Sequence, residues 1–202
     1  WRGLLAPPMY PNTGNMGLPV ILYAFGEAGF AFGITVMVTV SLFQFTLGTM
    51  LASRGNPLKS LVKTPTVYAI LISIALLFTD TELPLWLQNS VDLISGFTVP
   101  LMLITLGVSL ASIQVRSLRS GVWFSLLRIP LAAGVAWGIG IWLDLPPMAL
   151  AILVLQMSMP VAVFNYLFAQ KSQREPAYVA SLVFCSTLLS LIYLPVLLAL
   201  LL

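Results

Sequence analysis

The chain contains no histidine and a single cysteine, Cys185, among its 202 residues. These absences exclude catalytic triads that use histidine, zinc sites built from cysteine and histidine, and any framework of disulfide bonds. Cys185 lies inside an apolar segment and is expected to be an ordinary small core residue. The sequence therefore predicts that the protein is not an enzyme and holds no metal or organic cofactor.

Charged residues are also scarce. They make up 7% of the chain, against 59% hydrophobic residues, and the mean hydropathy is +1.03. A soluble domain of this length does not need so much apolar sequence to form its core. The composition predicts an all-α, polytopic membrane protein whose main partner is the lipid bilayer.

Seven hydrophobic segments are predicted to be membrane spans: 4–26, 30–52, 64–79, 91–113, 121–143, 148–170 and 177–201. Basic and acidic loops alternate between them. Placing the basic loops in the cytoplasm predicts that the C-terminus lies on the opposite side of the membrane. The net charge of +3 then follows from topology, so no nucleic-acid partner is expected.

The first span is interrupted near its middle by the run NTGNMGLP, residues 12–19. A helix broken at that depth leaves backbone polar groups that lipid cannot satisfy, so such a break usually has a function. The sixth span has a matching interruption, Ser158-Met159-Pro160, followed by Asn165. The two predicted breaks lie in antiparallel spans.

These matched breaks predict an inverted repeat, with the binding site between its halves. If each helix resumes near its proline, two helix N-termini meet at the midplane and attract an anion. The second copy would hold the five spans after residue 64, and the first copy only two. The chain is therefore expected to lack three N-terminal spans, on the order of 80–100 residues.

The polar residues of the two breaks are the predicted substrate ligands: Asn12, Thr13, Asn15, Gln156, Ser158 and Asn165. Four further residues are predicted to shape the breaks: Gly14, Gly17, Pro19 and Pro160. Each group has a structural alternative. Amides can satisfy freed backbone groups, small residues also serve helix packing, and single prolines are commonly kinks.

Arg128 is the one basic residue outside the loops, about two turns into the fifth span. Snorkelling to the cytoplasmic surface is the favoured interpretation, and a gate or anion relay is the alternative. Gln44 is predicted to face either the place where the two broken helices cross or a neighbouring helix. No acidic residue lies clearly within a span, so a buried carboxylate proton relay is not indicated.

The runs NTGNMGLPV (12–20), QMSMP (156–160) and LFAQ (167–170) resemble the auxin efflux carrier family, which contains bacterial permeases and plant auxin carriers. The resemblance implies an inverted-repeat fold of the bile-acid sodium symporter and sodium/proton antiporter type with crossed broken helices. The chain would hold about seven of ten transmembrane helices. It also implies a transport domain from residues 1–52 and 121–202, a scaffold from residues 64–113, and a homodimer formed through the scaffold.

By this resemblance the function is secondary-active transport of a small organic anion such as malate, with an elevator-like movement of the transport domain. It also implies a bacterial inner membrane, in which the C-terminus would be periplasmic. The plant carriers have a proline where this chain has Asn165, which argues against auxin as the substrate. The coupling ion, sodium or proton, stays open. The alternatives are a sensor or interaction module that does not transport, and, less favoured, an intramembrane enzyme.

Overall fold

The computed structural model describes residues 10–44, 65–79, 83–112, 118–172 and 175–202. Within these ranges the chain is helical, except for connections and one isolated β-bridge. A π-helical turn, Thr13–Gly17, precedes eight α-helices. They are α1 (Leu18–Phe43), α2 (Pro65–Phe78), α3 (Leu85–Ser95), α4 (Thr98–Ser112), α5 (Leu118–Trp142), α6 (Pro147–Met157), α7 (Val163–Ser172) and α8 (Pro176–Leu201).

Four stretches of the described residues are long and apolar enough to cross a membrane: Thr13–Phe43, Leu85–Ala111, Leu118–Trp142 and Pro176–Leu201. They support the prediction of an all-helical membrane protein. The seven predicted segments differ from these four because one stretch folds back on itself, one predicted span is broken, and α2 is only 14 residues long.

Helix α1 is a hairpin of two antiparallel arms rather than one rod. Gly26 interrupts it with φ 66° and ψ −165°, a conformation that glycine adopts without a side-chain clash. A Cβ on Gly33 would lie 3.3 Å from Leu18 Cδ2. In a continuous helix these residues would be about 22 Å apart. The described parts of the first two predicted spans are therefore antiparallel neighbours, which agrees with the short connection between residues 26 and 30.

The predicted sixth span is two half-helices. Helix α6 ends at Met157, α7 begins at Val163, and residues 158–162 between them are not helical. Ten or eleven helical residues extend about 15–17 Å, roughly half the thickness of the hydrocarbon core. The interruption predicted at this position is therefore present.

The buried core surrounds this second break. One cluster centres on Val161, Val179 and Leu182, and a second on Ile21, Ile152 and Leu155. Helices α5 and α8 pack against each other. Gly121 allows their close approach, because a Cβ there would lie 2.6 Å from the carbonyl oxygen of Ser181. The break is thus embedded in packed protein.

Helices α2, α3 and α4 expose most of their apolar side chains in this chain. Helix α4 packs against the π turn, α1 and α7, and so joins this group to the region of the breaks. The division into a scaffold and a transport domain, and the inverted repeat, stay predictions.

Candidate functional site

The second break pairs with residues 10–12, where the described part of the first predicted break begins; residues 1–9, which hold the start of the first predicted span, lie outside the described residues. Residues 10–12 and 160–162 are extended, run antiparallel and form a β-bridge between Pro11 and Val161. Two backbone hydrogen bonds flank this bridge: Asn12 N to Pro160 O at 2.7 Å, and Ala162 N to Tyr10 O at 3.1 Å. We call this pairing the crossing. It brings together two chain segments that are about 150 residues apart in sequence.

The segments that carry the breaks are antiparallel. Gln156 near the end of α6 contacts Gly17, immediately before the first arm, and donates to the carbonyl oxygen of Gly33 in the second arm. Ile152, one turn earlier in α6, contacts Gly29, one turn earlier in the second arm. Helix α6 therefore runs parallel to the second arm and antiparallel to the first, as the loop charges predicted.

A helix begins immediately after each half of the crossing. The π turn makes its first hydrogen bond from Gly17 N to Asn12 O at 3.0 Å, so the amides of Gly14, Asn15 and Met16 precede the first bonded donor. Helix α7 starts at Val163. The N-terminus of each helix, with its partial positive charge, therefore lies next to the crossing.

The helices resume near the two prolines rather than at both of them. The first helix resumes at Thr13, and Pro19 lies in the first turn of α1 after the π turn. The second resumes at Val163, because Pro160 is held in the extended crossing, where its carbonyl accepts the bond from Asn12. Proline has no N–H, so both positions suit it.

Two buried side-chain atoms beside the crossing have no hydrogen-bond partner, and no others of this kind occur in the described part of the chain. They are Nδ2 of Asn12, a donor, and Oε1 of Gln156, an acceptor. The Gln156 side chain is fully buried, and its Nε2 donates to Gly33 O at 3.1 Å. Unpaired polar atoms at such depth are costly unless a ligand or water pairs with them.

Gly17 lies directly against the Gln156 side chain. A Cβ at residue 17 would overlap Oε1 and come 3.0 Å from Cδ. Gly14 is less crowded, because its nearest neighbour would be Met37 Sδ at 3.6 Å. Close approach of the two broken segments therefore requires glycine at position 17 and not at position 14.

Thr13 and Asn15 differ in their surroundings. Thr13 is buried at the start of the π turn. Asn15 is half-buried, and its Nδ2 lies 3.4 Å from Thr105 Oγ1 on α4, a long hydrogen bond. Asn15 thus faces the helix group predicted to be the scaffold.

Ser158 and Asn165 support the breaks themselves. The Ser158 hydroxyl donates to Val154 O of its own helix at 2.7 Å. Asn165 Nδ2 donates to Tyr10 O at 3.0 Å, and Asn165 Oδ1 accepts from Gln44 Nε2 at 3.0 Å. These bonds favour the structural alternative for both residues. They also identify Gln44, a lone amide in an apolar run, as a residue that faces the crossing.

Arg128 does not reach the membrane surface. Its side chain is buried, and Nη1 donates to the carbonyl oxygen of Met159 at 2.7 Å. The snorkelling prediction is therefore wrong. The physical reason is that the broken helix frees backbone carbonyls at this depth, and such carbonyls offer the guanidinium hydrogen bonds inside the protein.

Tyr193 was not predicted as a site residue. Its hydroxyl donates to the carbonyl oxygen of Ser158 at 2.7 Å, next to the carbonyl that Arg128 binds. A tyrosine in an apolar helix ordinarily indicates an interfacial anchor, so its sequence position carries no signal for this role.

Carboxylates lie away from the crossing in the parts of the chain that the structure covers. Glu27, Asp92, Asp144 and Glu175 are all exposed. The described part of the chain also contains no cluster of three or more histidine, cysteine or acidic side chains that could hold a metal ion.

The profile of the family described as membrane transport protein matches residues 49–198. The chain belongs to this membrane transport protein family. The family includes the auxin efflux carriers, so the resemblance seen in the sequence is confirmed. Membership also agrees with the prediction of a transporter rather than an enzyme.

Relatives in this family include two archaeal proteins, each described as an uncharacterized transporter. One, from Methanocaldococcus jannaschii, is 28% identical over 94% of this chain and 65% of its own length. The other, from Methanothermobacter thermautotrophicus, is 30% identical over 96% of this chain and 66% of its own length. The chain thus spans slightly less than two thirds of these relatives. Their archaeal origin does not support the prediction of a bacterial inner membrane.

Proposed function

We propose that the protein is a secondary-active transporter for a small organic anion, which binds at the crossing of the two helix breaks. The observation that carries this proposal is the convergence of two helix N-termini, at Thr13 and Val163, on one antiparallel bridge inside the apolar core. Helix N-termini bind anions through their free amides and the helix dipole.

The charges of the described residues favour an anion. The guanidinium of Arg128 adds a positive charge beside the crossing, where it binds Met159 O. The described carboxylates are exposed, whereas the crossing is buried, so they do not oppose this charge there. In a poorly hydrated site such charges act more strongly than they do in water. A carboxylate is the commonest organic anion that such a site would select.

The predicted ligands fall into two groups. Asn12 is proposed to contact substrate, because its buried Nδ2 lacks a partner and a carboxylate oxygen would satisfy it. Thr13 and the amides of the π turn lie beside it. Gln156 offers an unpaired acceptor, so a hydroxyl on the substrate would suit it. Ser158 and Asn165 are proposed to act indirectly, by holding the breaks.

We also propose that transport involves an elevator-like movement of the transport domain. In this scheme the crossing moves with α1 and α5–α8, against α2–α4. The contact between Asn15 and Thr105 on α4 lies on the boundary between these groups. The exposed apolar side chains of α2–α4 would face lipid and the second subunit of a homodimer.

The test is uptake of labelled malate by proteoliposomes that contain the full-length protein. We expect Asn12→Ala to reduce uptake by roughly tenfold or more, because hydrogen bonds to charged groups are the stronger ones. Asn89→Ala removes an exposed amide on α3 and serves as the matched control. Equal loss in both variants would rule out the crossing as the site, and no uptake by the parent protein would rule out malate.

A further inference from the structure

Three consecutive carbonyls at the second break each accept a hydrogen bond from a different element. Ser158 O accepts from the hydroxyl of Tyr193 on α8, at 2.7 Å. Met159 O accepts from Nη1 of Arg128 on α5, at 2.7 Å. Pro160 O accepts from the backbone N–H of Asn12, also at 2.7 Å. The protein itself therefore supplies a donor to every carbonyl that the break exposes between residues 158 and 160.

These carbonyls follow the C-terminal end of α6, which ends at Met157. The C-terminus of a helix carries a partial negative charge, and freed carbonyls at such ends are where transporters hold coupling cations. Arg128 places a full positive charge at this position, because a guanidinium stays protonated in proteins and its hydrogen bond to Met159 O holds it there.

We infer that Arg128 is the resident cation of the second break: its guanidinium holds the carbonyl position that a coupling cation would otherwise bind, so the crossing needs no sodium ion. A sodium ion on Met159 O would lie next to a like charge and would compete with a hydrogen bond already made. Arg128 is thus a positioning residue. The consequence for coupling rests on the proposed transport function, whereas the placement of the guanidinium does not.

The first experiment measures thermal unfolding of the full-length protein in detergent, in sodium chloride and in choline chloride of equal ionic strength. We expect the same Tm in both salts for the parent protein. Arg128→Ala should lower Tm by about 5 °C or more, because a charge-assisted buried hydrogen bond is lost. Arg119→Ala, which removes an exposed arginine from the same helix, is the matched control and should leave Tm unchanged.

Rescue by a small cation separates a resident charge from a merely structural side chain. Millimolar methylguanidinium should raise the Tm of Arg128→Ala, and should not raise the Tm of the parent protein or of Arg119→Ala. Hydrogen exchange provides a local readout at the break. The amide of Val161 donates to Ser186 Oγ on α8, and the amide of Ala162 donates to Tyr10 O. Both should exchange about tenfold faster or more in Arg128→Ala, and methylguanidinium should slow them again.

Arg128→Lys and Tyr193→Phe keep the inference testable where Arg128→Ala does not fold. Lysine retains the charge, so Arg128→Lys should stay insensitive to sodium, with a smaller loss of Tm. Tyr193→Phe removes only the bond to Ser158 O and should also stay insensitive to sodium.

Each of three results would overturn the inference: a higher Tm of the parent protein or of Arg128→Lys in sodium than in choline, exchange in Arg128→Ala equal to that in Arg119→Ala, or a failure of methylguanidinium to rescue a folded Arg128→Ala. Malate uptake by the parent protein that requires sodium would do the same. A parent protein that takes up no malate contradicts the proposed substrate instead, and leaves the unfolding and exchange results to decide the role of Arg128.

Discussion

Gly17 is the tightest point between the two broken segments, and its replacement by alanine gives a prediction of stability. The new Cβ would overlap Gln156 Oε1 and lie 3.0 Å from Cδ. The Gln156 side chain cannot move aside cheaply, because it is fully buried and its Nε2 holds Gly33 O at 3.1 Å. The substitution therefore strains the crossing and weakens or breaks the bond to the second arm.

Three effects set the change in stability, and the third opposes the first two. Overpacking a buried site costs about 1–3 kcal/mol. Loss of the bond between Gln156 and Gly33 would add about 1 kcal/mol. Alanine in place of glycine in a helical turn returns about 1 kcal/mol. We expect a net loss of roughly 2 kcal/mol, which lowers Tm by about 4–8 °C in a protein of this size.

The assay is thermal unfolding of the purified protein, with Gly138→Ala as the matched control. A Cβ at Gly138 would meet nothing within 4 Å, and that glycine also lies in a helix. Gly138→Ala should be neutral or slightly stabilising. The double variant Gly17→Ala/Gln156→Ala should be more stable than expected from the sum of its single variants, because the smaller side chain removes the overlap. The reasoning is refuted if Gly17→Ala is as stable as Gly138→Ala.

Two further substitutions test other parts of the fold. Gln44→Leu removes the donor to Asn165 Oδ1 and should destabilise the protein by about 1–3 kcal/mol; thermal unfolding against the exposed-site variant Gln88→Leu measures this, and equal stability would show that the bond contributes nothing. Gly26→Ala places a side chain at φ 66° with no neighbour within 4 Å, so only backbone strain should act. We expect a loss of about 1–3 kcal/mol with malate uptake retained, whereas loss of uptake would contradict a purely conformational role.

The second break, and the place in the first predicted span where the described helix begins, could be predicted from the sequence, because a cluster of glycine, proline and amide residues is unfavourable in the middle of a span unless the helix is interrupted there. The hairpin at Gly26 was predictable for a similar reason, since the three residues between the first two predicted spans, 27–29, leave no room for another arrangement. These features depend on residues close together in the chain, and local chemistry decides them.

The partners of the polar side chains could not be predicted in the same way. Asn165 is held by Gln44, which lies 121 positions away, and Arg128 binds a carbonyl 31 positions away. Which way a helix rotates decides whether such a side chain faces lipid, the surface or the core, and that rotation depends on packing with several other helices. The snorkelling prediction for Arg128 was wrong for this reason.

The exact points at which the helices resume were also beyond the sequence. A proline is compatible with the first turn of a helix and with an extended segment, and this chain uses Pro19 in the first way and Pro160 in the second. The β-bridge between Pro11 and Val161 decides between them, and it is a contact between distant segments.

Equilibrium binding of labelled malate to the full-length protein tests the central claim, that the crossing is the anion site, most directly. The account predicts that Asn12→Ala raises Kd by about tenfold or more, since its unpaired Nδ2 is the donor that a carboxylate would satisfy. Asn89→Ala should bind malate as the parent protein does. Unchanged affinity in Asn12→Ala, with binding by the parent protein intact, would contradict the claim.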